Sequence, residues 1–557
     1  MSAEKIFGID LGTTNSEIAY LENGKPVVVT IGNGLRYLPS AVGVGQDGKI
    51  VTGFPARNQY AVFPENTVIS IKRKMGSGNT VSMAGKSYTP AEISSLILAT
   101  LKEAAERETG IPVRKAVITV PAYFTDMQRK DTIQAGELAG LEVVRIINEP
   151  TAAALAYGCR EDKGEKVLVY DLGGGTFDIS LMHIEEDVLE VIATDGDTFL
   201  GGDDFDNSLK EYFISCLPRG STSLDDPRMH ARLKNAAENA KIALSTETVR
   251  EVREEFITTH EDKPVHLELA LTRSQLESMI DEKLSKTFRL IDQVLSEAKV
   301  KEEDVAKVLL VGGSTYIPRI FQVLSEERGF SVHREVDPTY AVAIGAAIQG
   351  GIIAGEPIGT ILVDVNSHSL GIRVVAITPW GDMDFDRYAV IIHRNTPIPT
   401  SMSETFHTIA EGQSAVKVEA FQGERPAASA NTFIGSFLLD DLPKNLPMGS
   451  EIDVTFSHDL NGIVEISARD RKSGKTEKSR FDVNRLSEVP SGARRVDREK
   501  CEKILRSARR KLDKISGDAE SRKEIEHKAD LLEKALARDG DDALKLALEL
   551  AEIIAGM

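Results

Sequence analysis

Two short segments of this chain carry the same potential chemistry. Ile6 to Ser16 reads IFGIDLGTTNS, and Val167 to Ser180 reads VLVYDLGGGTFDIS. Each ends an apolar run in an aspartate, Asp10 or Asp171, and follows it with glycines and threonines. A phosphate chain is held best by backbone N–H groups converging in a tight turn. Glycine lets that backbone bend and approach without a Cβ collision. Thr13, Thr14 and Thr176 add hydroxyls. A carboxylate on each loop could hold a hydrated Mg2+, which takes few protein carboxylates and keeps several waters. Either segment alone would read as a hairpin turn. Two matched copies, a domain's length apart, argue instead for two loops facing each other across a cleft.

Competing phosphate motifs fare worse. No GxxxxGK[ST] pattern occurs. Gly43 to Gly48, GVGQDG, matches GxGxxG, but the strand-like KIVTG follows it where a dinucleotide site needs a helix, so it reads as a turn.

Elements must position these loops. KIFGIDLG, KAVITVP, KVLVYDLG and KVLLVGGS are short apolar runs ending at polar or glycine positions, as buried strands do. Helix-like stretches, Pro90 to Arg107, Asp126 to Ala139 and Thr272 to Ala298, lie between them. That alternation predicts an α/β architecture with a duplicated unit. Ala341 to Gly355 is apolar but Ala/Gly-rich and too short to span a membrane, so it reads as a buried helix. From Leu370 to about Val483, strand-like alternation with turn signals such as GERP and HDLNG predicts a compact all-β domain. From Arg498 the chain is charged, with apolar residues at helical spacing.

The chain has 557 residues, room for three or four domains. Lys plus Arg is 67 and Asp plus Glu is 86, a formal net charge of −19. That balance opposes nonspecific attraction to nucleic acid or anionic membrane, and neither is expected as a partner. Cys159, Cys216 and Cys501 form no CxxC pair, so neither a disulfide framework nor a zinc site is expected. The N-terminus shows no signal-peptide pattern, and a cytoplasmic location is expected.

The motifs GIDLGTTNS, VPAYFTDMQRKDT, RIINEPTAAALAYG, DLGGGTFD, FLGGDDFDN and VGGSTYIPRI, in that order, resemble those of the 70-kDa heat-shock chaperone family, DnaK-type. LGI, IPT, QSAV and FQGER extend the match into the β domain. The resemblance implies an α/β actin-like ATPase domain, ribonuclease H-like and duplicated, over residues 1–358. An apolar interdomain linker would follow over 359–365, then an all-β peptide-binding sandwich over 366–490 and a short helical lid over 497–557. The shortened tail is similar to the short-lid bacterial branch, HscC-like.

By the same resemblance, Asp10, Asp171 and Asp178 surround Mg2+ and an accompanying K+. Thr13, Thr14, Gly173, Gly174, Gly175 and Thr176 match positions that contact the phosphates of ATP or ADP, and Gly12, Asn15, Gly201 and Gly202 match further ATP-binding positions. Lys72, in ISIKRKMG, matches the lysine near the γ-phosphate. Glu149, in NEPTAA, matches the carboxylate near the attacking water. Together with Asp171 and Thr176 they form the implied catalytic set. A phosphoryl group in transfer needs charge neutralisation and an in-line water, which suits both roles. Glu238, Lys241, Ser245, Gly312, Gly313, Ser314 and Tyr316 match the adenosine side. Here the chain departs from the family: Ile242 and Tyr316 stand where arginines commonly sandwich the adenine, and Thr339 replaces an acid.

In the β domain, Ile372, Val375, Phe406, Ile409, Val416 and Val418 match positions that grip extended apolar peptide. Ile409 stands where a smaller residue is common. Ile361, Leu362, Val363 and Asp364 match the allosteric linker, and Pro121, Arg129 and Arg145 match relay positions. The implied function is an ATP-dependent chaperone whose ATPase controls peptide binding, with a J-domain co-chaperone and a nucleotide-exchange factor as partners. The alternatives are a regulatory peptide binder with weak ATPase, an actin-fold small-molecule kinase and a filament-forming protein.

Overall fold

The computed structural model describes residues 5–480 apart from 33, 159–163, 186–187, 219–225, 357, 359, 378–382 and 444, together with 505, 509 and 527–534. The chain divides into two compact units, Met1–Phe481 and Asp482–Met557. The expected lid falls in the second unit. Outside 505, 509 and 527–534 it lies beyond the described residues. Within 527–534, a helical stretch, Ala529 and Leu532 are buried.

The first unit begins with strands β1 (Ile6–Asp10), β2 (Asn15–Glu22), β3 (Lys25–Val28), β4 (Lys115–Val120) and β5 (Glu142–Asn148). They form a sheet ordered β5-β4-β1-β2-β3. The β5–β4 and β4–β1 pairs are parallel, and the β1–β2 and β2–β3 pairs are antiparallel. Strands β6 (Glu165–Leu172), β7 (Phe177–Glu185), β8 (Val188–Asp197), β9 (Val305–Val311) and β10 (Val332–His333) repeat that order and pairing as β10-β9-β6-β7-β8. The likeness between the two Asp-Leu-Gly segments thus extends to whole sheets. Each segment is the turn between the first and second strands of its own sheet.

The unbroken apolar runs follow from burial on both faces. In β6, Leu168, Tyr170 and Leu172 enter the core of the second lobe. Val167 and Val169, on the opposite face, enter a core shared between the lobes. Enclosing each Val or Leu contributes about 1.5–3 kcal/mol. Helices α1 (Pro90–Thr109) and α2 (Asp126–Leu138) start at Thr89 and Thr125, each in a reciprocal capping box with the Glu or Gln three residues on. Helices α3 (Glu149–Ala156), α4 (Gly202–Ser215), α5 (Pro227–Leu244), α6 (Arg273–Ala298) and α7 (Ala341–Ala354) complete the lobes.

Helix α7 explains its own composition. It packs against β1 and α3 so closely that a Cβ on Gly345 would stand 1.7 Å from the Ala152 carbonyl oxygen. Small residues are the condition for that contact. Among the described residues, no helix is long and apolar enough to cross a membrane. GVGQDG falls at the end of the Ala41–Val44 strand and in the turn after it, as read from the sequence.

Strand β11 (Ile361–Val365) extends the second sheet, pairing in parallel with β8 through Val188–Ile361, Leu189–Leu362 and Glu190–Val363. Beyond it come β12 (Leu370–Ile377), β13 (Met383–Ile392), β14 (Pro397–Ile398), β15 (Thr400–His407), β16 (Val416–Gln422), β17 (Thr432–Leu439), β18 (Glu451–His458), β19 (Val464–Asp470) and β20 (Thr476–Arg480). Two four-stranded sheets, β13-β12-β16-β17 and β15-β18-β19-β20, enclose Leu370, Val418, Ile434, Val454, Phe456 and Ile466. The short β14, just ahead of β15, pairs with β11 and forms the last strand of the second sheet.

Candidate nucleotide-binding cleft

The two Asp-Leu-Gly turns meet. Gly174 faces Thr14 so closely that a Cβ there would stand 2.0 Å from the threonine Oγ1. Gly312, at φ +82°, brings the β9 turn under the second loop, where a Cβ would lie 2.3 Å from the Leu172 carbonyl oxygen. These close approaches exclude side chains and leave backbone facing a cavity of about 200 Å3. Its walls include Asp10, Gly12, Thr13, Thr14, Asn15, Lys72, Glu149, Asp171, Gly173, Gly174, Thr176, Glu238, Lys241, Gly312, Gly313 and Ser314. Gly175 and Gly201 back this wall; a Cβ on Gly201 would lie 2.6 Å from the Gly175 amide nitrogen. The Ser314 hydroxyl donates to the Gly173 carbonyl at 2.8 Å, fixing the β9 turn to the second loop.

The cavity carries Asp10, Glu17, Glu149 and Asp171 on its walls, and Asp178 pairs with Asp171 across β6 and β7 without lining it. Burial, reinforced by Glu149, raises Asp10 to about 7 and Asp178 to about 8. Burial, then Glu149, Asp178 and Asp10, push Asp171 well above the carboxylate range. Asp10 accepts from the Thr119 hydroxyl at 3.0 Å, and Asp178 from the Tyr123 amide at 3.0 Å. Oδ2 of Asp171 is buried without a partner. Against these stands Lys72, ion-paired with Glu149. Burial alone would lower Lys72; Glu149 and Asp10 outweigh it and raise the amine. Among the described residues no three acidic, histidine or cysteine side chains stand close enough together to hold a metal ion directly; the unpartnered Oδ2 of Asp171 is a buried acceptor that a cation or its bound water would satisfy.

One member of the cleft carries no sequence motif. Glu17 pairs with Asp10 across β1 and β2, is buried and lines the cavity. Burial, then Asp10, raises it well above its usual value. A charged residue inside the apolar strand SEIAYL was its only trace in the sequence.

The expected adenosine residues sit to one side. Lys241 pairs with Asp206 at 2.7 Å and donates to the Gly202 carbonyl at 3.1 Å, while Glu238 pairs with Arg57. A second hollow of about 550 Å3 adjoins the first and is lined by Ile242, Ser245, Tyr316, Phe321 and Arg334. Ile242 and Tyr316 are both exposed, and the Tyr316 hydroxyl donates to Asp337 at 3.0 Å. Further pairs bridge the cleft: Arg73 with Asp204 at 2.7 Å, and the Ser70 hydroxyl with Asp203 at 2.6 Å.

A family model described as Hsp70 protein matches residues 6–552. The chain belongs to the Hsp70 family. Hsp70 proteins are ATP-dependent chaperones, ATPases that bind ATP or ADP with Mg2+ and act on unfolded peptide with co-chaperones.

In this Hsp70 chain the residues expected to form the linker and relay lie along a partly buried seam, with Ile361 exposed. Asp364 accepts from the Asn148 amide at 2.8 Å and the Thr151 hydroxyl at 3.2 Å. Burial raises its carboxyl. Arg129 donates to Asn148 Oδ1 at 2.7 Å and to the Ala122 carbonyl at 3.2 Å. Pro121 is buried, its carbonyl capping the Phe124 amide, and Arg145 lies half-buried, facing Asp364 and Asp459. Sequence reading missed the sandwich partners. Asp126 accepts from the Val464 amide at 2.9 Å, Asn461 accepts from the Ile146 amide at 3.1 Å, and Arg394 donates to the Thr194 carbonyl at 2.9 Å. No local signal marks them, because their partners are remote in the chain.

The six expected peptide positions are dispersed in burial. Ile372 and Val418 lie inside the sandwich core, and Phe406 and Val416 pack at its margin. Val375 is half-buried, while Ile409 is exposed.

Proposed function

We propose that this chain couples ATP hydrolysis in the cleft to the grip of its sandwich on extended apolar segments of unfolded proteins. The observation that carries the reading is β11. It hydrogen-bonds to β8 on one side and to β14 on the other, so the sheet bearing Asp171 and Asp178 ends in the segment that leads directly into sandwich strand β15. A cleft ligand that favours one lobe spacing then also favours or disfavours β11 docking, by the same coupling free energy.

Within the cleft, the backbone of Gly12 to Asn15 and of Gly173 to Thr176 would cradle the phosphates of ATP. Lys72 would leave Glu149 for the γ-phosphoryl group and offset its charge. Glu149, so released, would orient the attacking water, which is most of what phosphoryl transfer asks of a protein. Asp10, Asp171 and Asp178 would hold hydrated Mg2+, which when bound offsets the charge of the carboxylates and phosphates together. Ile242 and Tyr316 would take the base by dispersion and ring stacking.

Ile372 and Val418 are enclosed while β11 is docked, so peptide would be gripped after the sandwich leaves the lobes and rearranges. A J-domain co-chaperone and an exchange factor are the partners this cycle calls for. The test is ATP turnover by the full-length chain with and without an unfolded apolar peptide. Turnover that rises with peptide supports the coupling. Absent turnover, or turnover indifferent to peptide, refutes it.

A further inference from the structure

His368 lies between the linker strand and β12, in the stretch NSHSL. Its ring nevertheless packs edge-on against Tyr123 of the first lobe, with centroids 4.1 Å apart and planes at 63°. Its Nε2 stands 3.1 Å from the Tyr123 carbonyl oxygen. A carbonyl only accepts, so that nitrogen carries the proton. On its other side, the Tyr123 amide donates to Oδ1 of Asp178 at 3.0 Å. One residue of the first lobe thus has its carbonyl held from the sandwich side and its N–H committed to Asp178, the cross-strand neighbour of Asp171 in the cleft wall.

The arrangement has little slack. His368 and Asp178 are both buried. Gly196 opens the gap that admits Tyr123: a Cβ there would stand 2.9 Å from Asp178 Oδ1 and 3.2 Å from the Tyr123 Cβ. A shift of the Tyr123 backbone therefore cannot be absorbed without moving the Asp178 carboxylate or breaking its hydrogen bond.

We propose that His368 is a positioning residue for the cleft chemistry: it fixes the Tyr123 backbone, and through it the Asp178 carboxylate, only while the sandwich is docked. This rests on the reading of Asp178 as a cation-holding group in ATP hydrolysis. Undocking withdraws the imidazole, leaves the Tyr123 carbonyl free to turn and lets Asp178 adopt a second orientation. The sandwich thereby reaches the cleft by a route separate from the linker strand.

The experiment compares His368→Leu and His368→Gln with wild type in the full-length chain, by two measurements. Amide hydrogen exchange at Tyr123 needs no turnover. His368→Leu should exchange there about fivefold faster, the factor for one net hydrogen bond. His368→Gln, which keeps a donor, should stay close to wild type. Single-turnover ATP hydrolysis at saturating ATP should show a smaller ratio of peptide-stimulated to basal rate in His368→Leu, with half-saturating ATP unchanged and the ratio restored in His368→Gln. Unaltered Tyr123 exchange in His368→Leu overturns the proposal, as does an unaltered rate ratio. A wild-type chain that turns over no ATP would count against the ATPase reading instead, while the exchange data still decide whether His368 holds Tyr123.

Discussion

Lys72 and Glu149, 77 residues apart in the chain, meet as a buried ion pair on the floor of the cleft. Breaking a buried pair leaves one charge without compensation, at a cost of about 3–5 kcal/mol. Lys72→Met should therefore lower the unfolding midpoint of the nucleotide-free chain. Lys72→Met combined with Glu149→Gln should recover most of that loss, because no orphaned charge remains. Turnover should stay about 10²-fold or more below wild type in both. Denaturant melts alongside ATP turnover separate the two effects, and a double variant as unstable as the single one contradicts the pairing argument.

Leu362 stands at the centre of the β8–β11 register and packs on the core shared between the lobes. Leu362→Asp puts a charge into that contact. We expect ATP and ADP affinities within about twofold of wild type, since neither loop is touched, and loss of peptide stimulation. Calorimetric nucleotide titration and peptide-dependent turnover give the two halves of the answer. Full stimulation in this variant would rule out coupling through the linker strand.

The sandwich also brings a pH dependence. Burial holds His458 down to about 4 from its ordinary 6.5, with Arg129 adding to the effect. Burial lowers His368 as well. A base depressed in the fold binds fewer protons there than in the unfolded chain. The His458 contribution to stability is therefore complete above pH 6.5 and is lost as the pH drops from 6.5 towards 4, while the raised carboxyls of Asp10 and Asp178 contribute with the opposite sign. For His458 alone the loss reaches about 3 kcal/mol. Urea midpoints at pH 7.5 and pH 5 isolate the term by comparison: lowering the pH should cost wild type more, or gain it less, than His458→Gln. An equal difference from wild type in a variant of an exposed histidine such as His407 would assign the slope elsewhere.

On the adenosine side, Tyr316 is expected to bind the base through its ring. Tyr316→Ala should weaken ADP by about 1 kcal/mol, roughly fivefold, while Tyr316→Phe changes it little. Inorganic phosphate binding should be unaffected in both. A Tyr316→Phe defect as large as that of Tyr316→Ala would shift the role from the ring to the hydroxyl and its Asp337 bond.

Much of this was written locally. Asp10, Asp171 and the glycines after them are contiguous with the strands that carry them, so their chemistry survives in a string of letters. The same holds for the capped starts of α1 and α2 and for the small residues of α7, whose periodicity and composition are properties of one segment. Lys72 is a different case. In the run Lys72-Arg73-Lys74 nothing local separates the buried lysine from its neighbours, and only the resemblance pointed to it. A short 3-10 turn directs Lys72 inwards and leaves Lys74 exposed.

By itself, then, the sequence determined the two acidic glycine loops, the duplicated strand–helix order and the change to an all-β region after residue 365. Each depends on neighbours within a few residues or on a repeat. Only the tertiary structure decided that Glu17 joins the cleft, that Ile361–Val365 becomes a strand paired on both sides, and that Asp126 meets Val464 and Tyr123 meets His368. Those contacts depend on which surfaces the folded lobes bring together. Burial then converts ordinary side chains into raised carboxyls and committed donors, and burial is a property of the whole chain rather than of any stretch of it.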